Sequence, residues 1–208
     1  MKLRDEQQRL IQDWWRWLQP EGQTDREEDR LRRLGRFGVF SRAHRAQLKR
    51  CADPGQVLLV PAFHRLLAQL APSMAPQEPD AWRWALIAGV LVWVDKEPEG
   101  KGSSASFGAR MAAPAGEGAG RPALSELRFA RLLRATDEQD FYTQLRRAVQ
   151  LVNKTAQVPA LAQDIHDWLI EFRDPGVCHP SQRLQVRWAS DYYLQAAKHA
   201  AAQAADKD

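Results

Sequence analysis

Along most of this chain apolar residues recur three and four positions apart, and sustained β-branched alternation is absent. That spacing puts them on one stripe of a helix and leaves the opposite side polar. Ala, Leu, Arg, Gln and Glu, which favour helix, are abundant. The chain is therefore expected to be all-α.

Helices are predicted over Leu3–Leu18, over the charged run after Thr24 up to Gly35, and over Ser41–Arg50, Val57–Leu70 and Ala81–Val94. Thr24 and Asp80 read as N-caps and Gly35 as a stop. From Glu97 to Pro122 the composition turns to Gly, Ser, Ala and Pro, with SFGARMAA forming a short helical turn inside it. This reads as a long connection. The organisation expected is an N-terminal helical bundle (1–96), a flexible connection (97–122) and a C-terminal bundle (123–208). Further helices are predicted over Leu124–Ala135, Asp137–Asn153 with Thr136 as N-cap, Val158–Phe172, and Ser181 to about Ala202. Three stripes should form a common core: Phe141/Leu145/Ala148/Val149/Val152, Leu161/Ile165/Trp168/Leu169/Phe172 and Leu184/Trp188/Tyr192.

Size and charge narrow the function. With 208 residues the chain can bury a substantial core. No apolar run approaches the roughly 20 residues that span a bilayer, and the charged N-terminus resembles neither a signal peptide nor an anchor. Cys51 and Cys178 are too isolated for a disulfide framework, which fits a reducing cytoplasm. Lys and Arg total 30 against 26 Asp and Glu, a net charge of only +4. So the placement of the cations matters more than their number.

Several basic faces stand out. Arg128, Arg131 and Arg134 fall within a sector of about 120° of one helix, without interleaved acids. Arg146 and Arg147 lie away from the Phe141 stripe, with Lys154 seven positions after Arg147. Arg42, Arg45 and Lys49 share a narrow face with Arg50 beside it, and no carboxylate occurs between Ser41 and Ala52. Arg110 sits in the Gly-flanked turn and gains meaning only if that turn lies against the arginine helices. Two readings stand for each face: contact with phosphates, or a solvent face salt-bridged to nearby acids.

Other constellations point less far. Trp82, Trp84, Trp93, Trp168 and Trp188 read as core, whereas Trp14, Trp15 and Trp17 point in different directions and leave at least one for a partner surface. Asp164-Ile165-His166-Asp167 and Cys178-His179 lack further ligands at metal spacing, and HExxH, GxGxxG, Walker and GxSxG motifs are all missing. No catalytic residue, metal or cofactor is assigned.

The blocks SFGARMAA, LSELRFARLLRA, TDEQDFYTQLRRAVQLVN, VPALAQDIHDWL and VRWASDYYL, in that order, resemble the CasB family. So do RAHRAQLKRCADPGQV and PAFHRLL earlier in the chain. That family is the small subunit of the type I-E CRISPR surveillance complex, Cascade. The resemblance implies two small helical bundles without enzymatic activity. It implies two copies per complex, beside the large and backbone subunits, the guide crRNA, the target DNA and the displaced strand. Basic surfaces would stabilise the R-loop, and Lys49, Arg50, Arg110, Arg128, Arg131, Arg134, Arg146 and Arg147 match basic positions of the family's blocks. The Pro114–Arg121 insertion and the Trp-rich N-terminus depart from the pattern. A stand-alone helical DNA-binding regulator and a scaffold for acidic proteins are the alternatives.

Overall fold

The structure is a computed structural model that describes residues 2–19, 27–74, 80–99, 105–114 and 121–205. Its named elements are helices, and among the described residues the only β pairing is two isolated bridges, Lys96 with Thr155 and Pro114 with Pro122. The chain is all-α.

Helix α1 (Asp5–Trp17) begins with two acids and ends with Arg16, matching its dipole. Its three tryptophans are all buried, at 0, 3 and 4% exposure. Each indole N–H donates to a backbone carbonyl at 2.9 Å: Trp14 to Ala62, Trp15 to Val94 and Trp17 to Gly38. The expectation of a partner-facing tryptophan here is therefore corrected. The three rings do point in different directions, because α1 is surrounded by three different segments.

Helix α2 (Glu27–Phe37) runs through Gly35 rather than stopping there. The stop is Gly38, whose φ of +75° suits glycine. The predicted cap Thr24 lies outside the described residues. Helix α3 (Arg42–Arg50) is capped by Ser41, whose hydroxyl accepts from Ala43 N. The single helix expected over Val57–Leu70 is two, α4 (Pro54–Val57) and α5 (Pro61–Leu70). Pro61 has no N–H to continue the earlier helix, but its fixed φ suits a first helical position.

Helix α6 (Ala81–Leu91) is capped by Asp80 as expected, its carboxylate accepting from Arg83 N at 3.1 Å. All but its first two residues are buried. It is the central post, packed on α4, α5, α9 and α10. The turn expected at SFGARMAA is α7 (Phe107–Ala112), followed by α8 (Glu126–Leu133). Helix α9 (Glu138–Leu151) takes Asp137 as its cap, not Thr136, with Asp140 N donating to Asp137 Oδ1 at 2.7 Å. Helices α10 (Val158–Arg173) and α11 (Leu184–Ala205) complete the chain. A 3-10 turn over Pro180–Gln182 takes up the predicted start of α11.

The three predicted stripes meet where Phe141 of α9 stacks on Trp168 of α10 at 3.8 Å, with Trp188 of α11 at 6.4 Å. Phe172 is the exception: it stacks on Trp168 at 4.8 Å but stays 40% exposed, at the rim. Helices on both sides of the Gly-rich connection share one hydrophobic cluster. Helix α1 lies on α10, and Leu3 N donates to Gln163 Oε1 at 2.8 Å.

Candidate nucleic-acid interface

Two basic sites emerge from this packing. The first lies between α8 and α9. Helix α8 presents Arg128 and Arg131 one turn apart, and α9 presents Gln144, Arg147 and Gln150 along its facing side. Together they line an open cleft of about 420 Å³ over Leu124, Leu132 and Leu151. All three arginines are exposed, and among the described residues none has a carboxylate within ion-pair distance.

Glu126, in the first turn of α8, forms no ion pair with these arginines, and the acids at the start of α9 are occupied elsewhere. Asp137 caps α9, Asp140 accepts from Gln144 Nε2 at 3.0 Å, and Glu138 pairs with Arg173 at 2.9 Å while accepting from the Trp82 indole. The salt bridges to these acids that accompany the solvent-face reading are not made. Arg134 is the exposed C-cap of α8 and does not line the cleft.

The second site gathers around Asp95, just beyond α6. Arg45 Nη2 donates to Asp95 Oδ1 at 2.5 Å, Lys49 Nζ lies 3.4 Å from the same oxygen, and Lys154 Nζ lies 3.3 Å from Oδ2. Burial pushes the Asp95 carboxyl upward, but Lys49, Arg45 and Lys154 outweigh it and hold its pKa below the usual value. Lys49 is pushed down, first by burial and then by Arg45. Lys154 reaches the carboxylate from a turn in which Asn153 and Lys154 both have a φ of +55°.

Arg146 completes this site. It donates to the carbonyls of Cys51 at 2.7 Å and Lys49 at 3.4 Å, at the C-terminal end of α3, where carbonyls lack helical partners. Its guanidinium lies 4.8 Å from the ring centres of both Trp93 and Tyr142, and Lys49 lies 5.4 Å from Trp93. Burial, against the opposing pull of Arg146, pushes the Tyr142 hydroxyl up to about 12.

Helical spacing therefore grouped these cations differently from their packing. Arg146 and Arg147 are neighbours in sequence but belong to different sites. Lys154 joins Asp95 rather than Arg147. Arg45 does not share an open face with Arg42, because it is a half-buried strut that also donates to Val92 O and Val94 O. Arg42 and Arg50 are exposed at the two ends of α3.

The α7 turn lies against α11, not against the arginine helices, and Arg110 is half-buried. Arg110 borders a separate cavity of about 420 Å³ with Lys96, Glu97 and Asn153, and desolvation lowers its pKa. Sequence reasoning missed Asp95, Trp93 and the Gln144/Gln150 pair. An acid directly after an apolar helix and two glutamines among arginines were the only signals.

Among the described residues no three His, Cys, Asp or Glu side chains are placed to share a metal ion. No described helix is long and apolar enough to cross a membrane.

An all-helical body with carboxylate-free arginines on one cleft suits a partner for polyanions. The profile of the CRISPR-associated protein Cse2 family matches residues 44–193, and the chain belongs to that family. This is the CasB family of the resemblance, the small subunit of the type I-E Cascade complex, a structural subunit that sits with other Cascade subunits and crRNA. Both basic sites fall inside the matched segment, whereas Arg42 lies just before it. No curated protein and no solved structure matches the chain.

Proposed function

We propose that this chain is a non-catalytic, cytoplasmic Cascade subunit that stabilises the R-loop by sequence-independent contacts to nucleic-acid backbone. Beside it would stand a second copy of itself, the target strand, the displaced strand and the guide. The observation that carries this reading is the α8–α9 cleft, where Arg128, Arg131 and Arg147 converge without a carboxylate. Like charges so placed repel one another, and phosphates relieve that repulsion. Guanidinium forks match phosphate oxygens, and contacts to phosphate carry no base information, which suits a subunit that must serve any guide. Exchanging a DNA duplex for a guide heteroduplex is nearly balanced in energy, so a few backbone contacts tip it. The Asp95 site adds Lys49, Lys154 and Arg146 as a second positive surface, with Arg42 and Arg50 at its margins. Arg110 and Arg134 would contribute beyond these two sites.

The test is target binding by Cascade assembled with an Arg128→Gln/Arg147→Gln chain. Affinity should fall by the same factor for unrelated target sequences. The slope of log K against log salt should shrink by roughly 0.7 to 0.9 for each phosphate that is no longer neutralised. The fold should be unchanged by circular dichroism, since exposed charges contribute little stability. Unchanged affinity, or a reduction that depends on target sequence, would overturn the reading.

A further inference from the structure

We propose that the α8–α9 cleft receives one unpaired nucleotide, its base over the apolar floor and its flanking phosphates among the arginines, so that the site prefers single-stranded nucleic acid to duplex. This rests on the reading of Arg128, Arg131 and Arg147 as phosphate contacts and adds what lies beneath them.

A site for phosphate alone has no use for a depression with carbon at the bottom. Here the arginines stand over Leu124, Leu132 and Leu151, the first two only 3 and 1% exposed and the third half-buried. At about 420 Å³ the space has room for a small planar group. Bases in a duplex are stacked and paired inside it, so a duplex could offer this cleft only its backbone and would leave the exposed part of Leu151 wet. An unpaired base has two apolar faces, and laying one on the exposed part of Leu151 removes both surfaces from water.

The two glutamines fit the same occupant. Gln144 is buried, and its Nε2 is committed to Asp140 at 3.0 Å; the Nε2 of Gln150 is committed to Arg146 O at 3.3 Å. Each amide nitrogen thus spends one of its two N–H donors inside the protein, and the two amide oxygens accept no hydrogen bond from the described residues and are left to accept one from a ligand. Each of the four bases carries at least one N–H donor on its pairing edge. Two acceptors therefore hold any base without selecting one, consistent with binding that is indifferent to sequence. Adjacent arginine planes can stack on the exposed face of the base.

The test uses the full chain and fluorescence anisotropy at low salt with three probes of about 12 nucleotides. They are single-stranded oligo-dT, an abasic single strand of the same length, and a duplex of the same length. The base-bearing strand should bind at least about fivefold more tightly than the abasic strand, and more tightly than the duplex. Leu151→Ala should weaken only the base-bearing strand. Gln150→Ala, at an exposed position, should do the same and guards against a folding defect in the first variant. Arg128→Gln/Arg147→Gln should weaken all three probes. Equal binding of abasic and base-bearing strands would overturn the nucleotide cleft while leaving the phosphate reading intact. Equal or tighter binding of the duplex would do the same. Indifference of all three probes to the arginine variant, or no binding to any of them, would overturn both.

Discussion

Asp164 carries the largest electrostatic burden of any carboxylate described in the fold. Burial pushes its pKa up to about 6, against the opposing hydrogen bond from Trp188 Nε1 at 3.0 Å and the charge of Arg187. A pKa raised from 3.8 to about 6 means that the folded state holds the proton more tightly than the unfolded state does. The stability so gained is fully present below the unfolded value and is lost as pH rises through the folded one. Asp164→Asn should therefore gain on the wild type between about pH 4 and about pH 7.5, read as the change in urea midpoint difference. An equal difference at both pH values would show that Asp164 is not the titrating group. Trp168 makes a packing argument at the same scale. It lies between Phe141 at 3.8 Å and Phe172 at 4.8 Å and is buried. Trp168→Ala should cost about 3–5 kcal/mol in denaturant unfolding. A loss below about 1 kcal/mol would show that α9 and α10 do not depend on this stack.

At the scale of elements, a close approach seats α7. A Cβ on Gly108 would stand 2.9 Å from both the Cα and the carbonyl oxygen of Trp188, and backbone atoms cannot yield as a side-chain tip can. Ser106 Oγ also donates to Asp191 Oδ2 at 2.6 Å, pinning the first turn of α7 to α11. Gly108→Ala should lift α7 from α11 and cost about 1–3 kcal/mol, measured by denaturant unfolding. An unchanged midpoint would refute the seating. The existence of α7 was legible from SFGARMAA, but its partner was not, because a six-residue helix has no stripe long enough to indicate a direction. Much the same holds for the split between α4 and α5. A proline inside the predicted Val57–Leu70 span is a signal for a helix start at Pro61, yet the four residues of α4 are too few to show helical periodicity.

For the whole molecule, the decisive feature is the cluster that joins helices before and after the Gly-rich connection. Leu10, Trp84, Leu91, Phe141 and Ile165 all belong to it. Unfolding should accordingly show one cooperative transition by calorimetry and by tryptophan fluorescence alike. Two resolved transitions would support the expected division into bundles at 97–122. Helical class, most helix positions and most core stripes could be read from the sequence, because each follows from neighbours three or four positions apart. The arginines Arg128, Arg131 and Arg147 could also be picked out as basic and carboxylate-poor. What the sequence could not decide was their company. Arg147 meets Arg128 and Arg131 across a cleft, and Arg146, one residue earlier, turns to the end of α3 more than ninety positions away. Asp95 likewise collects Arg45, Lys49 and Lys154 from elements distant along the chain. Helical periodicity records the direction of a side chain about its own axis. Only the packing of one helix on another decides whether that direction leads to water, a carboxylate or a second arginine.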